Sequence, residues 1–164
     1  MAAGKTETGA ALARLLGWTH VDLDREIERR AGLTVAQLFA SQGEARFREL
    51  EAQATRDVAA CPRVVLSPGG GWITRAENLE ALGPGTLTVW LQVSPEEAVR
   101  RASATPGERP LLAGADPLAA ARRLLEERAP LYARAGVHVS TEGRTPAEVA
   151  RIIEREMRAR AGPV

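Results

Sequence analysis

The sequence predicts an α/β fold in which a parallel sheet is flanked by helices. Two observations predict it. Short β-branched, apolar runs recur along the chain, and stretches with helical spacing, several of them ten or more residues long, separate those runs. Strands joined by connections of that length pair in parallel, because a tight hairpin cannot link them.

The elements follow in order. Thr6 to Leu16 has helical spacing and stops at Gly17. Trp18 to Leu23 reads as a short strand, and Asp24 to Ala31 as a charged helical turn or two closed by Gly32. Thr34 caps a helix over Val35 to Ser41, which Gly43 ends. Glu44 to Ala60 is a longer helix with Phe47, Leu50 and Ala54 on one face, broken by Pro62. Val64-Val65-Leu66 is a compact apolar strand, and Arg75 to Leu82 a helix stopped by Gly83-Pro84-Gly85. Thr86 to Val93 is the clearest strand, β-branched and apolar. Ser94-Pro95-Glu96-Glu97 combines a capping serine, a proline at the first helical position and a glutamate three residues after the cap, and its helix fades at Ser103. Ala104 to Ala115, with Pro106, Gly107, Pro110 and Gly114, is a long loop of the kind that forms lids. Asp116-Pro117 opens a helix through Arg128, Val137 to Thr141 is the last strand, and Thr145-Pro146 opens a final helix to about Arg160.

Composition narrows the function. A chain of 164 residues, 45% hydrophobic and 26% charged, fits one globular domain, here residues 1–164. Its 22 basic and 21 acidic residues leave a formal charge of +1, which gives no electrostatic case for nucleic acid or an anionic membrane. One cysteine, Cys61, forbids an internal disulfide and is expected to be a buried small hydrophobe. No apolar run nears the roughly 20 residues of a membrane span, and no basic-then-apolar leader is visible, so the cytoplasm is the expected compartment.

Several residues carry chemistry. Gly4-Lys5-Thr6 runs straight into a helix, as in the second half of a phosphate-binding loop. There, backbone N–H groups and the helix dipole attract phosphate oxygens, a lysine adds a mobile charge, and a threonine hydroxyl can ligate Mg²⁺. A polar chain terminus is the competing reading. Asp22 and Asp24 stand two apart at the end of a strand and could share one face, although acids at a solvated helix start read the same way. Gly69-Gly70-Gly71 follows a core strand, where α/β sheets bind ligands and a bare backbone permits close approach. Arg48, Arg109 and Arg128 suit a bidentate grip on a carboxylate or phosphate, but surface charge explains most arginines equally well.

In order, the Gly-Lys-Thr half-loop, VDLDREIERRAG, FRELE, PGGGW, RPLL and ERAPLY resemble the shikimate kinase family over nearly the whole chain. The resemblance implies a P-loop, nucleoside-monophosphate-kinase-like fold with a lid at about residues 104–116. It also implies ATP-dependent phosphorylation of the 3-hydroxyl of shikimate, a step of aromatic amino-acid biosynthesis, with Mg²⁺ and a monomeric enzyme. Carried over, Gly4, Lys5 and Thr6 serve ATP, with Thr6 and Asp22 toward the metal. Asp24 holds substrate hydroxyls and is the candidate base. Arg48, Gly69, Gly70, Gly71 and Arg128 bind shikimate, with the two arginines on its carboxylate. Arg109 closes over the transferring phosphate, and adenine rests near Arg101 and the Arg144 to Pro146 loop. A lid has a physical motive, since it keeps water from the phosphoryl group until both substrates are bound.

The sequence departs from the family pattern at its start. Met1 falls where the loop's methionine stands, and Ala2 replaces a glycine, so the first strand and half of the loop are missing. The expectation is a protein that extends upstream. Burying four apolar side chains of such a strand is worth about 6–12 kcal/mol, against about 5–15 kcal/mol for a whole domain. The chain as written is therefore expected to be poorly stable and largely inactive. Pro68 and Trp72 stand where small residues are commoner and are expected to alter the pocket wall. Two other readings compete: another small-molecule kinase of this fold, such as a gluconate kinase, and a non-catalytic nucleotide-binding module.

Overall fold

The computed structural model describes residues 2–104 and 116–161. Arg109, the RPLL motif and nearly all of the expected lid lie outside them. In order come α1 (Lys5–Leu16), β1 (Thr19–Asp22), α2 (Leu23–Ala31), α3 (Val35–Ala59), β2 (Val64–Ser67), a 3₁₀ turn (Trp72–Thr74), α4 (Ala76–Glu80), β3 (Val89–Gln92), α5 (Pro95–Ser103), α6 (Pro117–Tyr132), β4 (Val137–Ser140) and α7 (Pro146–Ala161). The chain divides into two compact units, Gly9–Thr86 and the combination of Met1–Thr8 with Leu87–Val164.

In the Gly9–Thr86 unit, β1 and β2 pair in parallel, with Thr19 opposite Val64 and Asp22 opposite Ser67. The core is built from one face of each helix. Leu23 and Ile27 of α2 sit one turn apart and are fully buried, and they meet Leu38, Phe47, Leu50 and Ala54 of α3 and the ring of Trp72. Thr34 closes a reciprocal capping box with Gln37 at the start of α3. Gly43, at φ 78° and ψ 172°, kinks that helix. The two helices expected on either side of Gly43 are therefore both present, α3 being two helical segments divided by the non-helical backbone of that glycine. The second cap works differently from its reading as a strand residue. Asp22 ends β1 and accepts the backbone N–H of Arg25 at 3.2 Å, while Asp24 already belongs to the first turn of α2. The two carboxylates thus sit on either side of a strand-to-helix junction and do not share a strand face.

In the other unit, β3 and β4 pair in parallel, with Val89 opposite Val137 and Gln92 opposite Ser140. Val137 and Val139 are buried and His138 and Ser140 exposed, the period-2 pattern of a strand covered on one side. Val149, Ala150 and Ile153 are buried on α7, and Ala98 and Ala121 on α5 and α6. Parallel pairing is thus as expected, but among the described residues it forms two two-stranded sheets.

Other boundaries move too. The strand expected over Thr86 to Val93 is confined to Val89–Gln92, and of the helix expected over Arg75 to Leu82 the five residues of α4, Ala76–Glu80, are α-helical. The helix expected to end at Arg128 continues to Tyr132 with Pro130 inside it. Pro130 supplies no N–H for a helical bond, and the helix ends two residues beyond it. Cys61 is exposed, its Sγ 3.4 Å from the carbonyl of Asp57, because the chain has already left α3 at that point.

Candidate active site

Each unit contains part of the candidate site. In the unit holding the chain start, Gly4 adopts φ 74°, a left-handed turn that aims the following backbone N–H groups along the first turn of α1. Its carbonyl accepts the Thr8 N–H at 2.9 Å, the first helical bond. Lys5 and Thr6 open α1 and are half-buried.

Arg101, in the last turn of α5, ties this loop to its neighbours. Its Nε donates to Glu97 Oε1 at 2.7 Å, its Nη1 to Thr141 Oγ1 at 3.0 Å and to the Ala2 carbonyl at 3.4 Å, and its Nη2 to the Thr141 carbonyl at 3.0 Å. Two arginines, Arg100 and then Arg101, hold the Glu97 carboxyl down at about 2. Arg144 donates to the Ser140 carbonyl at 2.8 Å, in the loop that also carries Thr141. Arg101, Arg144 and the glycine–lysine–threonine turn therefore share one region of this unit. Thr141, buried at 3% exposure, is the residue the sequence reading missed there, and its position directly after an apolar strand was the available signal. Arg128 lies on α6 and lines, with Tyr132, a groove that also takes in Pro95 and Ala98 of α5.

The Gly9–Thr86 unit assembles the rest. A Cβ placed on Gly69 would stand 3.0 Å from Asp24 Oδ1, and one on Gly71 would stand 3.0 Å from Arg48 Nη2. The triple glycine is thus a bare wall against which a carboxylate and a guanidinium both rest. Arg48 is held from several sides. Its Nη1 meets buried Glu51 at 2.9 Å, its Nε and Nη2 meet Glu44 Oε1 at 3.2 and 3.1 Å, and its guanidinium lies 5.3 Å from the Phe47 ring centroid. Burial works against its charge, but Glu51 and Glu44 outweigh it and raise the guanidinium above its ordinary value. Phe39 packs on Phe47 at 4.8 Å and is itself exposed.

Trp72 does not narrow this wall. Its indole is 6% exposed and turned into the core, donating to Thr55 Oγ1 at 2.9 Å, and Thr55 in turn donates to the Glu51 carbonyl at 2.7 Å. Thr55 was missed by the sequence reading, and Glu51, one helical turn after Arg48 in the FRELE motif, was given no role of its own.

An anion-binding helix start in one unit, and a glycine-walled pair of carboxylate and guanidinium in the other, are the parts of a small-molecule kinase. The family described as shikimate kinase matches residues 1–158. Shikimate kinase of Moorella thermoacetica is 43% identical over 159 residues, 97% of this chain and 91% of the relative. That of Thermus thermophilus is 45% identical over 149 residues, covering 91% and 81%. Among solved structures, shikimate kinase from Acinetobacter baumannii in complex with shikimate superposes with a TM-score of 0.89 at 35% identity, covering 96% of this chain and 88% of that one. The Aquifex aeolicus enzyme gives 0.84 at 34% identity, covering 98% and 94%. The chain belongs to the shikimate kinase family. It is a phosphotransferase that uses ATP to phosphorylate shikimate. Among the described residues no helix is long and apolar enough to cross a membrane.

Proposed function

We propose that Asp24, Arg48 and the Gly69–Gly71 wall receive shikimate, with the Asp24 carboxylate orienting the attacking hydroxyl and taking its proton. The observation that carries this reading is the approach of Asp24 and Arg48 to two glycines of one short loop. A side chain at either glycine would occupy the space where a guest must lie. Arg48 grips the substrate carboxylate. Its bonds to Glu51 and Glu44 fix the plane of the guanidinium, so little order remains to be imposed on binding. Arg128 is the second carboxylate-binding arginine, and Arg109 supports the transferring phosphoryl group.

Gly4, Lys5 and Thr6 bind the nucleotide phosphates, through backbone N–H groups, the ammonium and the hydroxyl. Arg101 and Arg144 flank the nucleotide base. Mg²⁺ fits the donor chemistry of the Thr6 hydroxyl and the Asp22 carboxylate, since both are hard oxygen ligands. Among the described residues no cluster of three acidic, histidine or cysteine side chains could hold a metal alone. When bound, the ion would offset the charge of the nucleotide's phosphates.

Steady-state kinetics of three variants test the assignment. Asp24→Asn is expected to lower kcat by roughly 10²–10⁴-fold. Arg48→Ala is expected to raise the KM for shikimate roughly 10–100-fold with the KM for ATP unchanged, and Lys5→Ala to affect ATP. An Asp24→Asn enzyme that retains wild-type kcat overturns the role of Asp24. Phosphorylation of gluconate in preference to shikimate overturns the substrate assignment.

A further inference from the structure

We propose that Asn78 is a positioning residue for shikimate, fixing the Gly71 end of the glycine wall by donating its buried side-chain amide to the backbone carbonyl of Trp72. The inference rests on the reading of that wall and Arg48 as the place that receives shikimate.

Asn78 lies on α4 and is 1% exposed, next in the chain to Leu79, which with Leu82 packs against the apolar core. An apolar side chain would suit those surroundings. Its Nδ2 instead donates to the Trp72 carbonyl at 3.0 Å, and among the described residues its Oδ1 has no hydrogen-bond partner. Turning the amide over would set two oxygens face to face, so the bond to Trp72 and the unpaired Oδ1 come together. A buried acceptor without a donor is unfavourable. Stability alone favours an apolar residue here, and the target of the amide supplies the reason for a polar one.

That target ends the loop of the wall. The Gly69 carbonyl accepts the Trp72 N–H at 3.2 Å, the Gly71 carbonyl accepts the Thr74 N–H at 3.1 Å and the Thr74 hydroxyl at 2.7 Å, and the Trp72 carbonyl accepts the Arg75 N–H at 3.3 Å. Each of these bonds joins residues three apart, so they curl the loop without tying it down. Two longer-range bonds do that. The indole N–H fixes the Trp72 ring to α3 through Thr55, and Asn78 fixes the Trp72 carbonyl to α4. Gly71, the residue before, has no side chain with which to anchor itself. A Cβ on it would stand 3.0 Å from Arg48 Nη2, so a small displacement of this end of the wall reaches the guanidinium. Gly69 and Asp24 meet at the other end.

The experiment measures kcat, both KM values and thermal midpoints for the wild type, Asn78→Leu, Arg48→Ala and the double variant. Leucine keeps the branched outline and removes the donor and the unpaired acceptor alike. The expected result is a KM for shikimate raised about three- to tenfold in Asn78→Leu, with kcat and the KM for ATP unchanged and the midpoint unchanged or raised. That increment should vanish in the Arg48→Ala background. Asn78→Ala, which avoids crowding but leaves a void, is measured in parallel and should show the same increment with a lower midpoint. A folded Asn78 variant with wild-type KM for shikimate, beside an Arg48→Ala enzyme with a raised one, overturns the positioning role and leaves the assignment of the wall standing. An increment that persists without Arg48, a joint change in kcat, both KM values and the midpoint of Asn78→Leu, or failure of both Asn78 variants to fold also overturns it. An Arg48→Ala enzyme with unchanged KM overturns the reading of the site and the proposal together.

Discussion

Arg48 and Glu51 are joined on one face of α3, guanidinium to carboxylate at 2.9 Å, with the Glu51 side chain 1% exposed. Burying a carboxylate that deep is costly unless a cation is paired with it, and the arginine that faces it is correspondingly fixed. Glu51→Gln retains the shape and removes the charge. Arg48 then depends on Glu44, whose exposed side chain contributes little. The expected outcome is a KM for shikimate raised about tenfold and a thermal midpoint lower by several degrees, read from initial rates and a melting curve.

The glycine wall can be tested with single methyl groups. Gly71 has φ −86°, a conformation alanine adopts freely, so Gly71→Ala introduces no backbone strain. Its Cβ would press on the Arg48 guanidinium at 3.0 Å, and that of Gly69→Ala on the Asp24 carboxylate at the same distance. Gly71→Ala should raise the shikimate KM, and Gly69→Ala should lower kcat, with melting curves near wild type. Unchanged kinetics in both would remove the wall from the site.

Thr55→Val breaks a buried relay. It deprives the Trp72 indole N–H of its acceptor and the Glu51 carbonyl of a donor. Leaving a buried N–H unpaired costs about 1–3 kcal/mol, and chemical denaturation should show a loss of that size. Thr55→Ser, which keeps the hydroxyl, should recover most of it.

Ala2 carries φ 49°, a left-handed conformation that an L side chain adopts at a cost of roughly 1–2 kcal/mol. Ala2→Gly relieves it, offset in part by the greater freedom of glycine in the unfolded chain. The thermal midpoint should rise by a few degrees, and a fall would show that the buried methyl outweighs the strain.

Acid sensitivity has a defined sign. Hydrogen bonds from Arg29 and then Arg30 lower Glu26 to about 2 from an ordinary 4.5. The unfolded chain therefore takes up this proton first as pH falls. The stabilisation is complete above about 4.5 and is lost as pH drops from there through about 2. Arg30 also reaches Asp57, so this pair helps join α2 to α3. Glu26→Gln should lower the midpoint at neutral pH and flatten its decline over that window.

Much of this was legible in the sequence, and the exceptions have physical causes. The parallel pairing, the break at Gly43 and the gathering of Asp24 and Arg48 at the triple glycine follow from periodicity, a left-handed glycine and an ordered set of motifs. Asp22 was placed on a strand face because alternation cannot reveal a side chain that turns back to cap the next helix. The end of α6 was placed four residues early, since the helix runs on past Pro130, the residue that signals its end in the sequence. The roles of Glu51 and Thr141 escaped notice because each acts through an arginine, and an exposed and a buried polar residue look identical in one dimension.

Gly43 has a geometric consequence for the aromatic floor beneath Arg48. Along an unbroken helix, Phe39 and Phe47 would be separated by about 12 Å of rise. Their ring centroids are 4.8 Å apart, which only a reversal of direction between them allows. That reversal uses φ 78° and ψ 172°, a backbone state essentially closed to any residue with a Cβ. A lineage of this enzyme can exchange much of the outer surface of α3, but one that loses the hydrogen side chain at position 43 straightens the rod and carries Phe39 away.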